Sequence, residues 1–243
     1  MNKIYSIFFV AVLLLACGPK KTETGSETQP VNQLTAEQQA QGWKILFDGQ
    51  TLDGWRSFKN KECTSWDVLD GTLHCKPSNA GDSIIHNDIV TNDAYQNFEL
   101  AFDWKISAKG NSGVMYRVTE EYDASFASGP EYQVLDDDGY PGEVKDVEKS
   151  GGNFAMHAPQ VKKANNPGEW NSGRIIVNGN HVEHWLNGTK VVDYELGSED
   201  WKSRVNGSKW RDYPGYGLAP TGFIDLQDHG HEVWYRSIYI KAL

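Results

Sequence analysis

The stretch "GRIIVNGNHVEHWLNGTKVVDYE", residues 173–195, sets three short apolar runs around two Asn-Gly pairs, Asn178-Gly179 and Asn187-Gly188. Asn-Gly is the strongest short-range hairpin signal, because both residues tolerate the positive φ that a tight turn between twisted strands requires. Residues 173–195 therefore read as a three-stranded antiparallel meander. The same rhythm runs outward in both directions, through "SWDVL", "TLHC", "NFELAFDWKIS", "SGVMYRV" and "EYQVL" upstream and "GFIDLQ" and "VWYRSIYIKAL" downstream. Many short strands with turns between them and no long helical period predict an all-β fold of two packed antiparallel sheets, a sandwich or jelly roll. One helical stretch interrupts the pattern near the start. In "LTAEQQAQG", residues 34–42, Thr35 is placed as N-cap with Gln38 three positions on, a capping box, and Gly42 ends it. Two long segments, 136–170 and 197–220, exceed ordinary connections and are expected to wall a pocket.

The chain has 243 residues, 39% of them hydrophobic and 23% charged, which suits one substantial β domain with extras. The extras stand first. "MNKIYSIFFVAVLLLAC" carries a Lys, then an apolar run too short to span a bilayer, then Cys17. Residues 1–16 read as a signal peptide, and "LLAC" resembles a lipobox, so Cys17 is the expected lipidation site; a plain signal peptide is the alternative. Residues 17–33 are polar and nearly free of large apolar groups, hence a flexible tether. By this reading the protein is expected in the cell envelope, anchored to the membrane through Cys17 and facing the periplasm or the outer-membrane surface. A net charge of -10 with no basic cluster argues against a nucleic-acid partner. Cys63 and Cys75 flank a hairpin turning at Asp70-Gly71, whose pairing sets Leu69 opposite Thr72 and Trp66 opposite Cys75. A disulfide between them requires the chain to leave the ladder before Ser65, and it stays open.

The motifs "LTAEQQAQGWKILFDGQTLDGW", "GNSGVMYRV", "EYQVLDDDG", "GEWNSGRIIVNGNHVEHWLNG" and "LQDHGHEVWYRSIYI" together resemble the 3-keto-disaccharide hydrolase family, over residues 34–243. The resemblance implies a concanavalin A-like jelly roll and an enzyme that cleaves glycosides already oxidised to a ketone at the third sugar carbon. The expected partner is an oligosaccharide or glycoside.

In "EYQVLD" the alternation of a strand puts Glu131, Gln133 and Leu135 on one face. A conventional retaining glycosidase needs two carboxylates about 5–5.5 Å apart, and this strand supplies one. A 3-ketone changes the problem, since it acidifies the proton on the neighbouring carbon and lets the glycosidic oxygen leave by elimination, after which water adds. That route asks for a base, here Glu131 or His157, and a group that stabilises charge on oxygen, here His229 or Arg117. Gln227 shares a face with His229 in the extended "IDLQDH" run, and the resemblance puts both on the surface that carries Glu131; with Gln133 they are expected to bind substrate. Trp201 and Trp210 sit in a polar segment and are expected to stack on sugar rings. No cofactor is demanded, and a divalent metal stays open: His229 and His231 flank Gly230, which reads as a bend rather than a ligand pair, and "DDDG" at 136–139 lacks the full calcium-loop pattern. The plainer readings are that Glu131 is a solvated residue ion-paired with Arg117, that "QDHG" is a self-bonded bend, and that His184 is a core histidine. A non-catalytic carbohydrate-binding module is the alternative function, since the same fold serves lectins.

Overall fold

The computed structural model describes residues 30–79, 81 and 83–243. The expected signal peptide, Cys17 and all of the tether up to residue 29 lie outside the described residues. The packed body begins slightly earlier than residue 34. The Asn32 side chain donates to the Gly71 carbonyl at 2.8 Å and accepts from the Ser237 amide at 2.7 Å, and the Tyr239 hydroxyl donates to the Gln33 carbonyl.

Thirteen strands are present among the described residues: β1 (Lys44–Ile45), β2 (Trp55–Ser57), β3 (Trp66–Leu69), β4 (Thr72–Cys75), β5 (Ile89–Tyr95), β6 (Phe98–Ile106), β7 (Asn111–Val118), β8 (Glu131–Leu135), β9 (Asn171–Asn178), β10 (His181–Leu186), β11 (Thr189–Glu195), β12 (Gly222–Leu226) and β13 (Val233–Ala242). They form two antiparallel sheets. The larger has the order β11-β10-β9-β6-β13-β4-β3 with β1 also on β13, and the smaller has the order β2-β5-β12-β7-β8. The expected all-β sandwich is what the chain adopts.

Three turns show how local chemistry sets the register. Leu186 pairs with Thr189, and both Asn187 and Gly188 have positive φ, as the primed turn requires. Leu69 pairs with Thr72 around Asp70-Gly71 in the same way, and Trp66 faces Cys75 as the sequence predicts. The third differs by one residue. Asn178 pairs with His181, so the loop is Gly179-Asn180, with positive φ at Gly179 alone, the form that places glycine first. Beyond Trp66 the chain does leave the ladder, since the Thr64 amide bonds to the Ile85 carbonyl; Cys63 and Cys75 are both free thiols.

Helix α1 (Ala36–Ala40) carries the complete capping box, Thr35 accepting from the Gln38 amide and Gln38 from the Thr35 amide. A second helix, α2 (Glu199–Gly207), lies in the segment expected to be loop. Its signal is local: Ser198 caps it and Glu199 and Asp200 fill the first turn, where carboxylates favour the helix dipole.

The core lies between the sheets. Along β6, Phe98, Leu100, Phe102, Trp104 and Ile106 turn inward, meeting Val114, Tyr116, Tyr132, Val134, Ile224 and Leu226 of the smaller sheet. An antiparallel sheet usually leaves its other face wet, and β9 does so at alternate positions. By contrast, β7 and β8 are buried at every residue. The segments that carry Phe126, Phe154 and Lys209 lie over part of their outward face, where the polar Asn111, Glu131 and Gln133 stand beside an apolar cluster of Met115, Val118 and Phe126.

Candidate functional site

Under that cover lies a cavity of about 230 Å³. Its floor is the outer face of the smaller sheet: Asn111 at the start of β7, Glu131 and Gln133 on β8, and Gln227 and His229 just past β12. Met115 pairs with Glu131 and Gly113 with Gln133, while the Gln227 amide bonds to the Gly113 carbonyl, so three neighbouring strands present these groups together. Gly113 makes room for the carboxyl. A Cβ there would stand 2.3 Å from Glu131 Oε1, so any side chain would push the acid away.

Glu131 is 3% exposed, and among the described residues no donor contacts its carboxyl. Burial raises its pKa to about 8; the Lys209 ammonium opposes that shift and the Asp88 carboxylate adds to it. The ion pair with Arg117, the plainer reading of Glu131, does not form, and Arg117 is not at hand for the expected role of stabilising charge on oxygen. Arg117 directs its guanidinium to the Gly179 carbonyl and is absent from the cavity lining. The β7 strand carries it past Met115 toward the Gly179 turn, away from the acid.

A second carboxylate does line the cavity, from another quarter. Asp88, immediately before β5, accepts from the Asp228 amide through Oδ1 at 2.8 Å and from the Ser125 hydroxyl through Oδ2. Burial raises its pKa to about 6. With both oxygens engaged it is a bound wall group, whereas Glu131 is unengaged. Asp225, beneath them on β12, is 0% exposed with neither carboxyl oxygen hydrogen-bonded; burial first, then Asp88 and Glu131, hold its pKa well above the ordinary carboxylate range.

The "QDHG" segment is both bend and site. Asp228 accepts from the Gly230 amide at 2.9 Å and pairs with His86 at 2.7 Å, which fixes the bend, and the flanking Gln227 and His229 face the cavity. Desolvation of the ring, then His231, lowers the His229 pKa, although the residue as a whole is exposed. The oxygens of Asn111, Gln133 and Gln227 are buried without partners. Lys209 and the rings of Phe126 and Phe154 close the wall.

His157, Trp201 and Trp210 are elsewhere. His157 contacts Asn153 and Asp200 at 3.2 Å each and stacks on Tyr194 at 4.5 Å. It starts a buried column that continues through Tyr194, Trp201, Tyr216 and Trp210, with successive centroids 5.4, 5.4 and 4.1 Å apart. Trp201 is 3% and Trp210 0% exposed, so neither presents a ring to a sugar. The polar segment around them is amphipathic: α2 and the turn after it fold these rings inward.

Among the described residues, one set of three His, Cys or acidic ligands lies within 4.8 Å, namely His181, Glu183 and Asp193. It is on β10 and β11, apart from the cavity, and Lys190 already bridges Glu183 and Asp193. Sequence reading missed Asn111, Asp88 and Lys209. Asn111 sits in the quoted "GNSGVMYRV" run and shares the face of Gly113 by alternation; Asp88 and Lys209 have no local signal.

Residues 42–241 match the model of the 3-keto-alpha-glucoside-1,2-lyase-like domain. A 3-keto-disaccharide hydrolase of Bacteroides thetaiotaomicron is 30% identical, with 100% of each chain covered. A crystal structure from Parabacteroides distasonis, of a protein provisionally named a glycosyl hydrolase, is 42% identical, with a TM-score of 0.81 over 88% of this chain and 100% of that one. The carbohydrate-binding module CBM66 of Bacillus subtilis, 12% identical with a TM-score of 0.50 over 78% of this chain and 96% of its own, shares the fold.

Proposed function

The chain belongs to the 3-keto-alpha-glucoside-1,2-lyase-like family and is a glycosyl hydrolase-like, carbohydrate-active protein; on that footing we propose that it cleaves 3-keto-glycosides, by elimination followed by hydration or by net hydrolysis. The observation that carries this reading is Glu131, one unengaged, desolvated carboxyl on the floor of a polar cavity, while the other two lining carboxylates are engaged, Asp88 by Ser125 and the Asp228 amide and Asp228 by His86 and the Gly230 amide. In the ionised form, Glu131 takes the proton from the carbon between the ketone and the anomeric centre. The electron pair moves onto the ketone oxygen, then returns as the anomeric C–O bond breaks. A ring N–H of His229 can hydrogen-bond to the departing oxygen, which takes up the proton that Glu131 removed, and the amides of Gln227, Gln133 and Asn111 meet the hydroxyls. A base whose pKa stands near the working pH suits such transfers.

The test is incubation with p-nitrophenyl 3-keto-glucoside and with the unoxidised glucoside, in D2O. Release of nitrophenol from the keto compound alone, with deuterium entering at the second sugar carbon, supports the reading. Equal cleavage of both compounds refutes the elimination route, and binding without turnover of either assigns the protein to the carbohydrate-binding alternative that its fold also allows. We further propose that the protein is an envelope lipoprotein. The support is the apolar run ending in "LLAC", and fatty-acid labelling lost in Cys17→Ser is the measurement that checks it.

A further inference from the structure

We infer that Lys209 is the catalytic electrophile of this site, the donor that holds the ketone oxygen as negative charge develops on it; the inference rests on the 3-keto-glycoside reading above. Of the residues that line the cavity, Lys209 alone is a lysine or arginine. It opens the turn that follows α2, and its ammonium is fixed by rings rather than by acids: 4.4 Å from the centroid of Phe154, 4.5 Å from that of Trp210 and 5.9 Å from that of Phe126. Among the described residues no carboxylate or carbonyl accepts its protons. Lys209 is exposed as a residue, and an ammonium held on aromatic faces keeps its charge and its three N–H bonds for something else. Burial lowers its pKa, with Glu131 and Glu148 opposing.

The chemistry of the cavity says what that something is. The unpartnered oxygens of Asn111, Gln133 and Gln227 accept hydrogen bonds, and sugar hydroxyls can donate to them. A ketone oxygen has no proton to give, so those oxygens cannot hold it. It needs a donor, and ammonium is a donor only. When Glu131 removes the proton of the adjacent carbon, the electron pair of that C–H bond becomes the enolate, with its charge on the former ketone oxygen. The ammonium hydrogen-bonds to this oxygen, and the charge is neutralised again when the pair returns and expels the glycosidic oxygen. No oxidant or further reactant enters. A preorganised cation aimed at the developing charge stabilises it without the reorganisation that water needs, and removing one donor of this type typically costs about 10²–10³ in kcat.

The same keto substrate tests the assignment. Lys209→Met retains the stem that packs on the rings and loses the ammonium; Lys209→Arg retains a cation. Lys209→Met is expected to lower kcat by about 10²–10³-fold, with KM within about threefold, and to slow deuterium exchange at the second sugar carbon alongside, while melting at the temperature of the wild type. Lys209→Arg is expected to recover at least about tenfold over Lys209→Met. Wild-type cleavage of the keto compound with Lys209→Met within about threefold of it overturns the inference alone. A change in KM only also overturns it, as does a Lys209 adduct trapped by cyanoborohydride, which would make the lysine a covalent catalyst. A wild-type protein inert on the keto compound fails the proposed function first and takes the inference with it.

Discussion

Two polar clusters among the described residues are built on opposite principles. The cluster around His184, inside the sandwich, is complete. His184 Nδ1 meets the Gly151 carbonyl at 3.1 Å, Nε2 meets the Tyr116 hydroxyl at 2.9 Å, and that hydroxyl also contacts Tyr194. The cluster on the outer face of the smaller sheet is incomplete, with an uncontacted Glu131, an ammonium resting on rings, and amide oxygens without partners. Buried polar groups that find partners within the chain hold the fold together, and those that do not are a standing cost that a ligand can relieve. The difference separates structure from site better than residue type does, since each cluster contains a histidine.

The largest expected effect breaks the comparison at its centre. Glu131→Gln is expected to lower turnover of a 3-keto-glucoside by about 10²–10⁴-fold, measured by product release at saturating substrate, without unfolding the protein. The stability of the two forms should diverge with pH in a known direction. Burial raises the folded pKa of Glu131 from 4.5 to about 8. The folded state therefore holds a proton that the unfolded state has lost, and wild-type stability falls as pH rises from about 4.5 to about 8. Thermal melts at pH 5 and pH 8 are expected to show Glu131→Gln gaining on the wild type across that interval. A gain in the acid direction would break the assignment of the shift.

The second effect is on rate. If ionised Glu131 is the base, turnover should climb about tenfold per pH unit and level off above about 8, as the carboxyl loses its proton. A profile that instead falls above pH 8 makes Glu131 the acid.

The third sharpens the other side. Trp201→Ala empties a place in the aromatic column, and a buried tryptophan cut to alanine costs about 3–5 kcal/mol. Denaturant unfolding should show that loss while the folded fraction retains its KM; a KM raised tenfold at unchanged stability would restore Trp201 as a sugar platform. The smallest effect is expected from Tyr116→Phe, which leaves His184 Nε2 without its partner and costs about 1–3 kcal/mol. The same unfolding measurement checks it, and turnover per folded molecule should stay within about twofold.

Much of this was legible in the sequence wherever one residue's neighbours along the chain settle its fate. The Thr35 and Gln38 capping box, the turns at Asp70-Gly71 and Asn187-Gly188, and the pairing of Trp66 with Cys75 follow from φ preferences and hydrogen bonds spanning a few residues. Strand alternation likewise put Glu131 with Gln133 on one face and Gln227 with His229 on another, and the structure joins those faces at Gly113. The Gly179-Asn180 turn slipped by one residue because the single glycine of Asn178-Gly179-Asn180 can serve either as the second or as the first residue of a two-residue turn.

Tertiary structure alone decided the rest. Lys209 reaches Glu131 across 78 positions of sequence, and Asp88 reaches it from the opposite direction, because covering loops choose their own path over a sheet. Those same loops took Trp201, Trp210 and His157 out of the site, since an aromatic ring in a polar segment is buried wherever the segment can fold it inward. They also made the chemistry. The sequence determined that a carboxyl would stand at residue 131, but its pKa depends on how much water is removed and which charges remain nearby, and both are properties of the assembled cover.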